Sequence, residues 1–313
     1  MWRLSVFVAA FGLLLAWVIL SCYYAVKQQS SHQVPHVGTK ILYITANCRW
    51  RKIGNAMFNY ASLLGIAKKN GRIPVLPYDL SIRKMLQCPM RKGGFEFNFG
   101  MYLSQWEYGG RSGTYDPTTQ HLPEFNMNLN GFYQSWKYFT NVEEELRTEH
   151  FVLLPEVEQK VIDHMHKHIP TKFNGETDLT FIGVHIRRGD MLQRHLLLAG
   201  YVAVSLEYFE RAMAYFRNKY KKAVFYVCTD SPGWTSENIK GDDVAKCDGD
   251  PAVDFGILSR CNHSVLSVGS FGWWSAWLAN GTTIYYSKWP GHGSRLDYEV
   301  TKADYFPPHW LPM

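Results

Sequence analysis

Hydrophobic and polar positions follow two regimes along the chain. Residues 4–26 carry no charged side chain and are rich in Leu, Val, Ala, Phe and Trp, a run long enough at helical rise to cross a bilayer. Residues 27–39 are polar and patternless, which reads as a short flexible stem. From residue 40 onward, short apolar runs bounded by Gly, Pro, Asn and Asp alternate with stretches of helical period. Residues 41–44 read as a strand, 56–67 as a helix stopped by Asn70-Gly71, and 73–76 as a second strand. Residues 78–140 are rich in aromatics, Gly, Pro and Asn, and 142–151 and 155–168 read as helices. Strand, helix and strand recur at 181–186, 206–220 and 223–227. A helix at 254–258, a strand at 264–268, a helix through 273–278 and a strand at 283–286 complete the pattern. Strands separated by helices predict an α/β chain with parallel sheets, whose ligands sit at the carboxyl ends of the strands.

One such strand end carries the strongest chemistry. The apolar run at 181–186 stops abruptly at Arg187-Arg188-Gly189-Asp190. The planar guanidinium fork matches phosphate oxygens, the glycine allows a tight turn, and the aspartate can orient one arginine. The competing reading is a surface salt-bridge cluster. Gly54-Asn55 opens the first helix, where Asn55 reads either as an anion contact or as a helix cap. Gly269-Ser270-Phe271-Gly272 leads into another helix and aims amides and the Ser270 hydroxyl at an anion, unless the glycines serve close packing.

Other candidates are weaker. Trp106, Tyr108, Tyr133, Trp136 and Tyr138 read as a platform for a sugar ring or as ordinary core. His164 and His168 share a helix face without an H-E-x-x-H pattern or an evident third ligand, which reads as a solvated face. Asp248-Gly249-Asp250 has the D-x-D form of metal-dependent sugar transfer, but it lies among turn formers and reads as a solvated turn.

Composition narrows the classes. At 313 residues, 46% hydrophobic, the chain can bury one large core or two ordinary ones. The net charge of +6 is dispersed, and the densest basic run is Arg49-Trp50-Arg51-Lys52, so no nucleic-acid partner is expected. Arg3 flanks the apolar run, and Tyr23-Tyr24-Ala25 is a poor cleavage site. The run therefore reads as an uncleaved signal anchor rather than a signal peptide, with the chain beyond it lumenal. Of the 6 cysteines, Cys22 lies in that run; Cys48, Cys88, Cys228, Cys247 and Cys261 include no C-x-x-C, which disfavours zinc. One or two disulfides are expected in a secretory lumen, their pairing open. Two sequons, Asn262-His263-Ser264 and Asn280-Gly281-Thr282, fit that compartment, although the apolar surroundings of Asn262 also allow a buried side chain.

Taken together, several segments resemble a known family. They are Ile53-Gly54-Asn55-Ala56-Met57-Phe58-Asn59-Tyr60-Ala61, Gly183-Val184-His185-Ile186-Arg187-Arg188-Gly189-Asp190, Asp254-Phe255-Gly256-Ile257-Leu258 with Cys261-Asn262-His263, Val268-Gly269-Ser270-Phe271-Gly272 and Thr283-Ile284-Tyr285-Tyr286. In this order and spacing the chain resembles the galactoside 2-α-L-fucosyltransferases, the α1,2-fucosyltransferases of glycosyltransferase family 11, from residue 40 to the end. The resemblance implies a GT-B type fold. Two Rossmann-like domains face a cleft, 40–175 on the acceptor side and 176–313 binding GDP-fucose. They are preceded by a cytosolic tail at 1–3, the N-terminal transmembrane helix at 4–26 and the stem at 27–39. It also implies inverting, metal-independent transfer of L-fucose from GDP-fucose to the 2-hydroxyl of a terminal β-galactoside on a glycoprotein or glycolipid. No cofactor is required, and the setting is a single-pass type II protein of the Golgi membrane.

By the same resemblance Arg187 is expected on the donor diphosphate with Arg188 and Asp190 in support. His185 and Asp254 are expected to read guanine, Ser270 and Phe271 to lie along the phosphates, and Asn55 to approach from the first domain. The chemistry agrees, since two arginines and a helix amino terminus can stabilise the departing diphosphate without Mg²⁺. Inversion also needs a group to take the acceptor proton, for which His195 and Asp190 are the candidates. Two departures stand out: Ala56 replaces the glutamine of many members, and Met191-Leu192-Gln193-Arg194-His195 has no close family match. Two alternatives stand beside this reading. One is a fucosyltransferase of another linkage, acceptor or GDP-sugar. The other is a catalytically silent membrane lectin using the aromatic face, which would have no use for Arg187, Arg188 and Ser270.

Overall fold

Two parallel sheets carry the chain. The first contains β1 (Tyr43–Ala46), β2 (Ile73–Pro74), β3 (Trp106–Gly109) and β4 (Met127–Asn130) in the order β2-β1-β4-β3. The second contains β5 (Thr180–Ile186), β6 (Ala223–Thr229), β7 (Val244–Lys246), β8 (His263–Leu266), β9 (Thr283–Tyr285) and β10 (Leu311–Pro312) in the order β10-β9-β8-β5-β6-β7. The computed structural model describes residues 41–46, 52–76, 80–93 and 111–313 and the backbone of 106–109. The expected anchor and stem, Cys22, Cys48, Arg49 to Arg51 and the side chains of Trp106 and Tyr108 lie outside the described residues. No helix among the described residues is long and apolar enough to cross a membrane.

The order of the second sheet positions the site. From the central β5 the chain steps outward to β6 and β7, then returns to lay β8, β9 and β10 on the other side. The crevice between β5 and β8, outside their carboxyl ends, is the switch point where such sheets hold ligands. Residues 182–186 and 223–228 are buried because helices cover both faces of the sheet, which is why these strands read as unbroken apolar runs.

The longer helices that support the two sheets are α1 (Ile53–Lys69), α2 (Pro155–Lys167), α3 (Arg194–Ala199), α4 (Leu206–Lys219), α5 (Pro232–Asn238), α6 (Pro251–Arg260) and α7 (Ser270–Ala279). Nearly all of α1 is buried, as expected of a helix covered on every side. One covering element is α7. Phe58 lies 4.6 Å from Trp273 and 5.0 Å from Trp274 between ring centroids, and Trp274 stacks on Phe139 at 5.2 Å. Buried rings of this size contribute roughly 1.5–3 kcal/mol each, so the seam joins the two sheets firmly, and Leu42–Met313 is one compact unit. The chain's end reinforces it: the Asp304 carboxylate accepts from Lys137 Nζ at 2.6 Å and from the Tyr115 amide at 3.0 Å.

Several expectations need correction. The predicted helix at 142–151 is a short turn, Glu143–Glu145, followed by a π-helical turn, Leu146–His150. His150 is drawn into the core there, with its Nδ1 2.6 Å from the Tyr60 hydroxyl. The second strand stops at Pro74, which has no amide to donate, and Leu76 instead bridges Lys92. Tyr133 and Tyr138 are buried against each other and Trp136 donates to the Ala303 carbonyl, so these three form no open sugar platform. His164 is buried against Asp248 rather than solvated. Asn262 is exposed, not buried, and its Oδ1 accepts the Phe181 amide at 2.8 Å. The disulfide left open by sequence is Cys228–Cys247; Cys88 and Cys261 are buried thiols.

Candidate active site

A cleft of about 700 Å³ opens at the switch point and is walled by both halves of the chain. The exit of β5 shapes its floor. The Arg187 amide donates to Ser267 Oγ at 2.8 Å, and the Ser267 amide donates to the His185 carbonyl at 3.1 Å. These two bonds lock the ends of β5 and β8 together where the ligand crevice begins. Just beyond, the Asp230 carboxylate at the end of β6 accepts the amides of Arg188 and Gly189 at 2.7 and 3.0 Å, which fixes the path of the loop.

The two adjacent arginines diverge. Arg187 enters the cleft, where Nη2 donates to Asp190 Oδ2 at 2.6 Å. Its Nε is buried with no protein partner, as are Asp190 Oδ1 and His185 Nδ1. Buried polar atoms are almost always satisfied, so a cluster of three orphans at one strand exit singles it out as the candidate site. Arg188 turns away: its guanidinium lies 4.5 Å from the Trp234 ring and donates to the Val204 carbonyl at 3.1 Å. It supports the loop from outside the cleft. Burial raises the Asp190 carboxyl, but the charge and hydrogen bond of Arg187, helped by Lys52 at 3.4 Å, outweigh it and hold the group below the usual carboxylate range.

Two helix amino termini meet at the same place. Neither α1 nor α7 has a side-chain cap or an acidic residue in its first turn, so each presents free amides and the positive end of its dipole. Gly269 enters α7 at φ +96, a conformation that favours glycine. Gly54 is required by contact, since a Cβ there would lie 2.4 Å from the Ser270 carbonyl carbon. Asn55 is not a cap. Its Oδ1 accepts from Ser270 Oγ at 2.6 Å and from Gln134 Nε2 at 2.8 Å, tying α1 to α7 across the mouth. Together the two termini, Arg187 and Lys52 form a positively charged wall, the kind of surface that suits an anion.

The opposite end is drier. His185 is buried beside Phe271, with ring centroids 5.4 Å apart. Burial, with the nearby Arg187 charge, lowers it to about 4, so the ring is neutral near pH 7. Asp254 on α6 is buried too; burial raises its carboxyl to about 6, against the Gly249 amide, which donates to Oδ1 at 3.3 Å. A neutral imidazole and a carboxylate beside an aromatic ring suit a flat, hydrogen-bonding ligand group. The nearby sulfurs of Cys228 and Cys247 are joined to each other and offer no metal ligand.

The structure therefore gathers Asn55, His185, Arg187, Asp190, Asp254, Ser270 and Phe271 on one cleft. Arg188 supports it from behind, and His195 is exposed on α3 and does not line it. Asn262 and Asn280 are exposed away from it; Asn280 ends α7 at φ +58, a left-handed position that asparagine tolerates. Sequence reasoning missed Ser267, Asp230, Lys52, Tyr201 and Glu299. A signal existed for Asp230, which follows the apolar run of β6 as Arg187 follows that of β5. Burial raises the Tyr201 phenol, while Glu299 faces the cleft with Arg295 3.6 Å away.

Comparison with known proteins gives the family and the fold. The family described as Glycosyl transferase family 11 matches residues 14–311. The chain is 29% identical over 276 residues to galactoside alpha-(1,2)-fucosyltransferase 2 of Sus scrofa, covering 83% of this chain and 77% of that protein. It is 31% identical over 273 residues to galactoside alpha-(1,2)-fucosyltransferase 1 of Ateles belzebuth, covering 83% and 72%. In fold it is similar to Arabidopsis thaliana FUT1 in complex with GDP, with TM-score 0.54, 10% identity and coverage of 92% and 79%. It is also similar to the NodZ alpha-1,6-fucosyltransferase co-crystallized with GDP, with TM-score 0.50, 16% identity and coverage of 82% and 97%.

Proposed function

Because the chain belongs to glycosyl transferase family 11, we propose that its cleft binds GDP-fucose. From it the protein transfers L-fucose, with inversion and without a metal, to the 2-hydroxyl of a terminal β-galactoside on glycoprotein or glycolipid glycans. The observation that carries this reading is the set of orphaned buried atoms at the β5 exit, Arg187 Nε above all, beside the uncapped start of α7. The named relatives act on galactosides in the same linkage, and the solved neighbours hold GDP. The fold reads as GT-B, divided near residue 175 into an acceptor-side half and a donor half.

In this reading the diphosphate lies against Arg187 and the amides of α7, and guanine lies between His185 and Asp254. As the sugar–phosphate bond breaks, negative charge grows on the leaving oxygen. Preorganised donors of this kind lower the barrier by ~3–4 kcal/mol. The acceptor hydroxyl must lose its proton. Asp230 is committed to two backbone amides, Asp190 to Arg187 and Lys52, and Asp254 to the Gly249 amide. Glu299 lines the cleft, paired with Arg295 at 3.6 Å and within electrostatic reach of Tyr201, and we assign it the proton. Asp190 then serves to hold Arg187.

Type II topology in the Golgi membrane belongs to the same proposal, with residues 4–26 in the bilayer and the folded unit lumenal. The uncharged run, the Cys228–Cys247 disulfide and the exposed Asn262 and Asn280 support it. Calorimetric titration tests the donor site. The chain should bind GDP in excess chelator and reject UDP and CDP. Arg187→Ala should lose GDP affinity and turnover at least about a hundredfold, with an unchanged melting temperature. Arg188→Ala should lower the melting temperature more than it lowers turnover. Equal affinity for GDP in wild type and Arg187→Ala would refute the diphosphate assignment.

A further inference from the structure

The end of α2 and the loop after β7 bring two histidines and an aspartate together outside the cleft. His164 and His168 stand one helical turn apart with rings 4.3 Å between centroids. Asp248 reaches them from the loop, its Oδ2 3.1 Å from His164 Nδ1. One ligand atom from each of the three lies within 4.8 Å of the others. Metal bonds of about 2.0–2.2 Å in a tetrahedral site put ligand atoms roughly 3.4 Å apart; because the two rings stack at 22°, the half-exposed His168 ring must turn out of the stack to close the set.

The other nitrogen of His164 supplies an independent observation. Its Nε2 lies 3.2 Å from the Lys246 carbonyl oxygen. A carbonyl only accepts, so Nε2 carries a hydrogen, and Nδ1 is the nitrogen that faces the Asp248 carboxylate. Two acceptors at that separation repel each other unless a cation lies between them, either a proton on Nδ1 or a metal ion shared by both. Metal-bound histidines almost always donate their second N–H to a carbonyl or carboxylate, as His164 does. His164 is buried, which fixes its ring, and the loop is held on both sides of Asp248. Cys247 is bonded to Cys228, and the Asp250 carboxylate caps α6 by accepting the Ala252 amide at 2.9 Å.

We propose that His164 Nδ1, a ring nitrogen of His168 and the Asp248 carboxylate bind one divalent transition ion. The two imidazoles and single carboxylate favour Zn²⁺ over Mg²⁺ or Ca²⁺, and they leave a fourth position for water. The ion staples the loop to α2. Because the next residue, Gly249, donates its amide to Asp254 Oδ1, the staple also steadies one wall of the cleft without entering it.

The test uses the full-length chain with Zn²⁺ alone, and Co²⁺ as a spectroscopic probe. One equivalent of Zn²⁺ should bind with micromolar or tighter affinity. The Co²⁺ form should show the intense visible bands of a four-coordinate site, without thiolate-to-cobalt charge transfer. His168→Ala and Asp248→Asn, both at solvent-accessible positions, should each weaken binding at least about tenfold while the metal-free melting temperature holds. Three results would overturn the proposal. Binding that survives both substitutions places the ion elsewhere. Thiolate charge transfer points to reduced Cys228 and Cys247. Absence of binding, with Asp248→Asn changing stability only at acidic pH, leaves an imidazolium–carboxylate pair.

Discussion

Burial raises the Asp254 carboxyl to about 6 from its ordinary value of 3.8, and the sign of that shift separates stability from function. An acid with a raised folded pKa holds its proton more tightly when folded. Its ionised form therefore costs stability above about pH 6, by ~3 kcal/mol for a shift of this size. That cost is relieved as pH falls through 6 toward 4. Asp254→Asn should thus be at least as stable as wild type at pH 7.5, with the gap closing below about pH 4. The same substitution should weaken GDP binding, because a carboxylate accepts from the guanine N–H groups and an amide does so poorly. Wild-type donor KM should rise below pH 6 and that of Asp254→Asn should not; a flat wild-type profile from pH 5 to 7.5 contradicts the assignment. Glu299→Gln should lower kcat about 10²–10⁴-fold with GDP affinity retained, and a near-normal kcat would move the base elsewhere. Arg187 and Ser270 stand at local signatures, a strand end and a helix start, and both line the cleft, whereas Asp254 is marked only by the family resemblance. Glu299 and Ser267 were not legible, because their roles depend on partners brought close only by the fold. Nor does sequence reveal that Arg188 stacks on Trp234 while its neighbour Arg187 faces the cleft.

At the scale of elements, the disulfide joins the carboxyl ends of β6 and β7 across a sequence separation of 19. It stands directly before the loop whose Gly249 holds Asp254. Closing a loop of this length contributes ~3 kcal/mol in the chain-entropy account. Cys247→Ser should lower the melting temperature and raise the donor KM, while kcat at saturation changes less. A variant matching wild type in both melting temperature and KM would show that the loop holds its place unaided. The strands flanking the switch point could be read from sequence, because central parallel strands are buried on both faces. β7 and β10 are short edge strands without an apolar run and left no such mark. The turn at 143–150 escaped for a different reason: its shape answers to Tyr60 and the core, not to its own period.

Over the whole unit, the cleft exists because two sheets share the seam of α1 and α7. Asn55 and Ser270, 215 residues apart in sequence, close its mouth. Order along the chain predicted two parallel layers but not how they meet. Within the aromatic segment, Tyr133 and Tyr138 pack on each other and Trp136 donates to the returning C-terminal segment, contacts that no local pattern announces. In the proposed donor pose the positive wall stands where leaving-group charge develops, so transfer should persist in excess chelator, even after any ion held by His164, His168 and Asp248 has been removed. The most direct measurement incubates the full chain with GDP-fucose, EDTA and a panel of β-galactoside and non-galactose acceptors, then determines the linkage and anomeric configuration of the product. The account predicts α-L-fucose on the 2-hydroxyl of terminal β-galactose. Transfer only to other sugars or positions, or a strict need for Mn²⁺ or Mg²⁺, would contradict it.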